Sequence, residues 1–131
     1  MQDLETLAKQ VAAQAYCRYS RFRVGAALKT KSKSQYIGCN VENVSFGLTI
    51  CAERNAIAAM VAAGETQPES IVVYTPTDRP TLPCGACRQV LLEFNAEIKI
   101  KCVCDSEETF EGSLSDLLPH AFPVDSLEEN T

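Results

Sequence analysis

The sequence lacks any apolar run approaching the roughly 18 residues of a membrane-spanning helix, so no membrane partner is expected. It also lacks an excess of basic residues, because 12 lysines and arginines stand against 17 aspartates and glutamates, a net charge of −5. Proteins that bind a phosphate backbone depend on clustered Lys and Arg. The composition therefore argues against a nucleic acid polymer as partner and favours a small ligand.

No internal repeat, linker or low-complexity segment divides the chain. Its 131 residues are the length of one domain, and a hydrophobic share of 46% is enough for an ordinary globular core. We therefore expect a single domain over residues 1–131. Within it, residues 125–131 are polar enough to form a loose tail.

Cysteine, by contrast, is abundant, with seven residues and therefore an odd count. Without a recognisable signal peptide, this count favours metal binding in a reducing compartment over a disulfide framework. We therefore expect a cytoplasmic protein. Four of the cysteines are expected to be small buried hydrophobic residues, namely Cys17, Cys39, Cys102 and Cys104.

The other three cysteines form the pattern C-x-E followed by P-C-x-x-C, through Cys51, Glu53, Cys84 and Cys87. A structural zinc site fills all four tetrahedral positions with protein ligands, whereas a catalytic site leaves one for water. A structural site on Cys84 and Cys87 should have a second close pair of ligands, yet upstream there is only Cys51. The pattern predicts one Zn²⁺ per chain, held by three thiolates, with an open fourth position.

Both metal-binding segments run into helix-like sequence. The Ala-rich run 51–63 ends at Gly64, a helix stop signal, and a second helix is predicted from Cys87 to Phe94. The free N–H groups and the positive dipole end of a helix N-terminus favour anionic sulfur. Arg54 is predicted to offset the negative charge of the three thiolates, the alternative being a solvated position on the helix surface.

The remaining pattern gives the element order α-β-β-α-β-α-β-β, and hence one three-layer α/β domain. An amphipathic helix is predicted within residues 3–15. Strands are predicted at 22–28, 36–41, 70–74, 98–103 and 109–111, with a last short helix at 114–118.

Four segments in this order resemble cytidine deaminases of the short-chain, homotetrameric type: 22–28 (FRVGAAL), 40–43 (NVEN), 51–57 (CAERNAI) and 83–91 (PCGACRQVL). The resemblance covers nearly the whole chain. It implies a three-layer α-β-α sandwich around a mixed five-stranded sheet. It also implies a homotetramer that hydrolyses cytidine and 2′-deoxycytidine to uridine and 2′-deoxyuridine plus ammonia, in pyrimidine salvage.

The resemblance assigns the proton transfers to Glu53. This residue would take a proton from water, protonate N3 of the ring during attack on C4, and then help ammonia to leave. Two residues from a ligand, Glu53 cannot easily join the zinc tetrahedron but can reach a water ligand. The alternative is a glutamate that serves only as the partner of a helix dipole.

Four further residues are substrate contacts by the same resemblance. Asn40 and Glu42 lie on alternate positions at a strand end, so that both can face the 3′-OH of the ribose. Phe22 would pack against the pyrimidine, and the backbone of Ala52 would help to hold the base. Ordinary core packing remains open for Phe22, and a strand-end turn remains open for Asn40 and Glu42.

Two positions depart from the pattern of the family. Arg18 stands where a proline usually precedes the Tyr-Ser pair, and Phe46 stands where a tyrosine is more usual. These departures concern fine substrate preference and leave the zinc chemistry unaffected. The C-terminal motif is retained, and it implies that Phe122 reaches the site of a neighbouring subunit.

Two competing functions remain open from the sequence. The same scaffold serves deaminases of modified cytosine nucleosides such as blasticidin S. Outside enzymes, the main rival is a zinc-stabilised binding module, with a fourth ligand from Cys39 or from His120, the only histidine.

Overall fold

A mixed five-stranded sheet lies at the centre of the computed structural model, which describes residues 2–125 and Leu127. The strand order is β2-β1-β3-β4-β5, in which β3 and β4 are parallel and the other neighbours are antiparallel. The strands are β1 (Gly25–Thr30), β2 (Gln35–Cys39), β3 (Pro68–Tyr74), β4 (Lys99–Val103) and β5 (Phe110–Ser113). Of the predicted tail at 125–131, only Asp125 and Leu127 are among the described residues.

Helices cover both faces of this sheet. The helices are α1 (Leu4–Ala12), α2 (Ala52–Ala62), α3 (Gly85–Phe94) and the short α4 (Leu114–Leu117). Over the part of the chain that the structure describes, every helix is too short or too polar to cross a membrane. The predicted three-layer α-β-α sandwich with a mixed five-stranded sheet is confirmed.

The alternation of side chains along β1 shows how the layers are built. Ala26 and Leu28 belong to the larger buried cluster, together with residues of α2 and α3. Ala27, between them, points to the opposite face and packs with Ala8 of α1 and Val72 of β3. All of these strand positions are apolar because both faces of the sheet are covered.

Several predicted boundaries are wrong by one to three residues, and two of them bear on the site. The first strand is predicted at 22–28, but β1 begins at Gly25. The N–H of Val24 donates to the side-chain oxygen of Asn40 at 2.9 Å, and so it does not join the hydrogen bonds of the sheet. The second metal-binding helix was expected to begin at Cys87. It begins at Gly85 instead, after an extended Cys84, so Cys87 lies inside its first turn.

A glycine permits α2 to lie directly on β2. A Cβ atom at Gly38 would stand 2.4 Å from the backbone nitrogen of Ala56 and 2.5 Å from the carbonyl oxygen of Ala52. Both of those atoms are main chain, so neither can move aside by rotating a side chain. The start of α2, which carries Cys51 and Glu53, therefore depends on glycine at this position.

We predict that Gly38→Ala lowers the free energy of unfolding by about 2–3 kcal/mol, because the added methyl forces α2 off the sheet. Gly47→Ala is the matched control, since a Cβ there meets no atom within 4 Å. Urea unfolding at one protein concentration compares the two variants. Equal stability of both would show that α2 does not need this close approach.

Candidate active site

Three cysteine sulfurs meet where the N-termini of α2 and α3 converge. Cys51 is the N-cap residue of α2, Cys84 is the N-cap residue of α3, and Cys87 lies in the first turn of α3. Their sulfur atoms all lie within 4.8 Å of one another, and those of Cys84 and Cys87 are 3.5 Å apart. Among residues 2–125 and Leu127, this is the one such group of potential metal ligands.

The sulfur group fits a zinc ion. Sulfurs at the zinc–thiolate distance in tetrahedral geometry lie about 3.8 Å apart, which the observed spacing approximates. Neither Cys39 nor His120 belongs to the group, and His120 is exposed. The alternative of a closed structural site, completed by one of these two residues, therefore has no support in the geometry of the described chain.

The electrostatics of the sulfurs also favour a bound cation. A hydrogen bond from Cys87 lowers the pKa of Cys51, and the positive charge of Arg54 lowers it further. The same hydrogen bond, together with burial, raises the pKa of Cys87, which is only 1% exposed. Cys51 and Cys87 thus share a proton, and a metal ion replaces such protons when thiolates bind it.

The two arginines beside the ligands have different surroundings. Arg88 donates from Nε to the carbonyl of Pro83 at 2.8 Å and from a terminal nitrogen to the carbonyl of Leu117 at 2.9 Å. Its guanidinium therefore joins the loop before α3 to the end of α4. Arg54 is half-buried on α2 and acts on Cys51 through its charge. The charge compensation expected of Arg54 stays a prediction.

Glu53 lies in the first turn of α2, beside the sulfur group. Glu53 is only 5% exposed to solvent, and it lines a cavity. Burial raises the pKa of Glu53 to about 7. A helix-dipole partner would lower the pKa of a carboxyl group, so this burial argues against a role as dipole partner only.

The cavity has a volume of about 290 Å³, near the lower limit for a small-molecule site. It brings together Cys51, Cys84, Glu53 and all four predicted substrate contacts, whereas Cys87 lies outside the lining. The lining residues from the prediction are Phe22, Asn40, Glu42, Cys51, Ala52, Glu53 and Cys84. Six more line the cavity and had no predicted role, namely Ser20, Val24, Thr49, Val73, Thr81 and Leu82.

Sequence adjacency could have indicated some of these six. Thr81 and Leu82 directly precede the P-C-x-x-C segment, and Ser20 is two residues before Phe22. Thr49 is likewise two residues before Cys51, whereas Val73 carries no such signal, because only the fold brings it to the cavity. Thr49 reaches it through the antiparallel pair between Val41 and Ile50, whose two backbone hydrogen bonds are both 2.9 Å.

Asn40 has a structural task as well as a place in the cavity. Only 7% exposed, it donates from Nδ2 to the carbonyl of Phe22 at 2.7 Å and accepts from the N–H of Val24. The amide thereby holds the extended segment that carries Phe22. The ring of Phe22 is 39% exposed, so it belongs to the cavity wall and not to the buried core.

Glu42 accepts three hydrogen bonds from one turn of the chain. Oε1 accepts from the N–H groups of Tyr19 and Ser20 at 3.0 and 3.1 Å, and Oε2 accepts from the Ser20 hydroxyl. The Ser20 hydroxyl is the chief cause that lowers the pKa of Glu42 below its ordinary value. Glu42 is therefore an ionised acceptor at neutral pH, at the rim of the cavity.

Phe122 and Phe46 lie outside the cavity lining of their own chain. The side chain of Phe122 is 67% exposed, and that of Phe46 is 73% exposed. Phe46 packs edge to face on Tyr19 with ring centroids 5.9 Å apart, and Arg18 lies 5.4 Å from the centroid of the same ring. The two departures from the family pattern thus meet on Tyr19, next to the turn that holds Glu42.

Zinc content should depend on the three cysteines and on no fourth protein ligand. We expect about one zinc per chain in the wild type and a large loss in Cys84→Ser, because two thiolates hold the ion much more weakly. Cys39→Ser and His120→Ala are the controls and should keep the full content. Mass spectrometry of the metals in purified protein measures it, and loss of zinc in either control would indicate a closed four-ligand site.

Comparison with known proteins agrees with this geometry. Residues 1–104 match the sequence model of the cytidine and deoxycytidylate deaminase zinc-binding region. A probable cytidine deaminase of Dictyostelium discoideum is 46% identical over 114 residues, which cover 86% of this chain and 77% of that protein. The cytidine deaminase of Halalkalibacterium halodurans is 43% identical and covers 88% of each chain.

Solved structures give the same result. The crystal structure of cytidine deaminase from Burkholderia pseudomallei superposes with a TM-score of 0.88 at 41% sequence identity, over 93% of this chain and all of that one. Fold, zinc-binding sequence and relatives therefore agree over most of the length. The chain belongs to the cytidine and deoxycytidylate deaminase family, and it is a zinc-binding enzyme of hydrolytic deamination.

Proposed function

We propose that this enzyme converts cytidine and 2′-deoxycytidine to uridine and 2′-deoxyuridine plus ammonia, with Glu53 as the catalytic acid and base. One observation supports the proposal above the others. A single cavity is lined by Glu53, by two of the three ligand cysteines, Cys51 and Cys84, and by the three residues expected to recognise a nucleoside, namely Phe22, Asn40 and Glu42. The names of the relatives agree with this substrate class.

In this mechanism the protein orients the substrate and moves its protons. Zinc, when held by the three cysteines, lowers the pKa of a water ligand toward 7 and so supplies the nucleophile at neutral pH. Glu53 takes a proton from the attacking water, delivers it to N3 of the cytosine ring and assists the departure of ammonia. Its buried position keeps bulk water away from these transfers.

The sugar and the base have separate partners. Glu42 and Asn40 bind the 3′-OH, which cytidine and 2′-deoxycytidine share, so both nucleosides are substrates. Phe22 packs on the ring, because its partly exposed side chain forms a wall of the cavity. Ala52 is the first residue of α2, so its N–H has no acceptor within the helix and is available to the base.

A free nucleoside suits the site better than a polymer. The cavity of about 290 Å³ is of small-molecule size, and the chain carries a net charge of −5. A polynucleotide would need clustered positive charge along its backbone. We further propose that the enzyme acts in pyrimidine salvage and in the cytoplasm. Its seven free cysteines support a reducing compartment.

We predict that Glu53→Gln lowers kcat for cytidine by about 10³-fold while it leaves zinc content and folding intact, because the amide cannot transfer the proton. Glu69→Gln is the matched control, because Glu69 is a half-buried glutamate on β3 that pairs with Lys33 at 3.2 Å, outside the cavity. Cytidine, 2′-deoxycytidine and blasticidin S are each incubated with zinc-loaded protein, and the products are separated chromatographically.

The substrate panel separates the competing functions. Formation of uridine and 2′-deoxyuridine, lost in Glu53→Gln and kept in Glu69→Gln, supports the proposal. Conversion of blasticidin S alone would assign a modified nucleoside as substrate. A Glu53→Gln variant as active as the wild type would remove Glu53 from the mechanism.

We also propose a homotetramer in which Phe122 completes the site of a neighbouring subunit. Exposed apolar side chains support an interface, since Val44, Phe46, Leu48 and Phe122 are 63–75% exposed. Such a group of large apolar residues is typical of a surface that another chain covers.

We therefore expect a mass of four chains in light scattering of the purified enzyme at micromolar concentration, because burial of these side chains stabilises the assembly. Phe46→Ser should shift the population toward smaller species, whereas exposed Val61→Ser on α2 is the control. A monomeric wild type would exclude the shared site.

A further inference from the structure

The acceptor capacity of Glu42 is nearly filled by the turn that holds it. A carboxylate has about four lone-pair positions, two on each oxygen. Oε1 accepts two backbone N–H groups, from Tyr19 and Ser20, so both of its positions are occupied. Oε2 accepts one hydrogen bond, from the Ser20 hydroxyl, and retains one position.

The Ser20 hydroxyl also connects Glu42 with Phe22. A hydroxyl has one proton to donate, and Ser20 gives it to Glu42. Its oxygen then accepts the backbone N–H of Phe22 at 3.0 Å. Ser20, Phe22 and Glu42 all line the cavity. The Ser20 hydroxyl contacts both of the other two residues, so it links the position of the Glu42 carboxylate to that of the Phe22 backbone.

We propose that Ser20 is a positioning residue. It orients the Glu42 carboxylate so that Oε2, and not Oε1, accepts the ribose 3′-OH, and it holds the backbone of Phe22 in place beside Glu42. This inference rests on the proposed function, because the 3′-OH contact belongs to that function. Ser20 does not touch the reacting atoms. Its effect on catalysis passes through the carboxylate and the ring that bind the nucleoside.

Surrounding contacts explain why the hydroxyl is needed in addition to the two N–H groups. The two N–H groups fix the position of Oε1 only. They leave the carboxylate group free to pivot about Oε1, so that Oε2 can move. The hydroxyl is the third contact, and it locks the plane of the carboxylate. Its hydrogen bond is also the largest cause that holds the pKa of Glu42 low, in agreement with a direct contact to the charged group.

The test compares Ser20→Ala, Ser20→Thr and Glu42→Gln with cytidine and with 3′-deoxycytidine as substrates of the zinc-loaded enzyme. Loss of a hydrogen bond to a charged group should lower kcat/KM for cytidine about tenfold in Ser20→Ala, mainly through KM. The loss should be about twofold or less for 3′-deoxycytidine, which has no 3′-OH for Oε2 to accept. Ser20→Thr, which keeps the hydroxyl at an exposed position, should restore the preference for cytidine.

Ser115→Ala is the matched control, because Ser115 is an exposed serine whose hydroxyl bonds Glu97 at 3.4 Å, outside the cavity. It should leave both substrates unchanged. Equal losses for the two substrates in Ser20→Ala would show that Ser20 serves only the fold or Phe22, and would overturn the proposal. If Glu42→Gln keeps the wild-type preference for cytidine over 3′-deoxycytidine, the proposal is also overturned, because Glu42 would then not contact the 3′-OH.

A second readout does not need turnover. The Glu42 carboxyl, followed by carbon NMR during a pH titration, should show a raised pKa in Ser20→Ala and an unchanged one in Ser115→Ala. If the wild type fails to convert cytidine, the proposed function is wrong, and this titration still tests the positioning contact. An unchanged pKa in Ser20→Ala would refute that contact.

Discussion

The convergence of two helix N-termini on one group of sulfurs is the constraint on which the site depends. Cys51 ends its extended approach where α2 begins, and Cys84 does the same for α3, so each thiolate meets the positive end of a helix. The third sulfur, from Cys87, comes from the first turn of α3. Because both helices pack on the same face of the sheet, the core sets the distance between ligands 33 residues apart in sequence.

The substrate side is built on the same frame. The antiparallel pair between Val41 and Ile50 places the segment that carries Asn40 and Glu42 next to Cys51. Asn55, on the second turn of α2, donates to the carbonyl of Cys39 at 2.8 Å and joins that helix to β2. Metal ligands and nucleoside contacts are therefore fixed by one set of short connections. A shift of α2 would displace both at once.

The sequence was most informative where chemistry limits the residue type. Only a few residue types can bind zinc or move protons to and from a water molecule beside it, so Cys51, Cys84, Cys87 and Glu53 were predictable from their spacing. The structure places the three cysteines in one group, with Glu53 beside Cys51 and Cys84 in the cavity. The order of the elements along the chain and the three layers followed from periodicity, whereas the mixed sheet was expected only from the resemblance. Boundaries were less accurate, as at the start of β1, where the side chain of Asn40 accepts the N–H of Val24.

Contacts between distant turns were not predictable in the same way. The hydrogen bonds from residues 19 and 20 to Glu42 span more than 20 positions, and no local pattern marks a serine that makes them. Val73 lines the cavity in the same unpredicted way, since the fold alone brings it there. The proposed homotetramer depends on contacts with a second chain. These contacts could be expected only from the resemblance to the family, and not from the residues of one sequence.

The central claim is an open zinc site with three thiolate ligands, and X-ray absorption at the zinc edge of the wild-type protein tests it most directly. The account predicts three sulfur neighbours at about 2.3 Å and one lighter neighbour at about 2.0 Å. Four sulfur neighbours would contradict it, because a closed thiolate site has no position at which water can be activated.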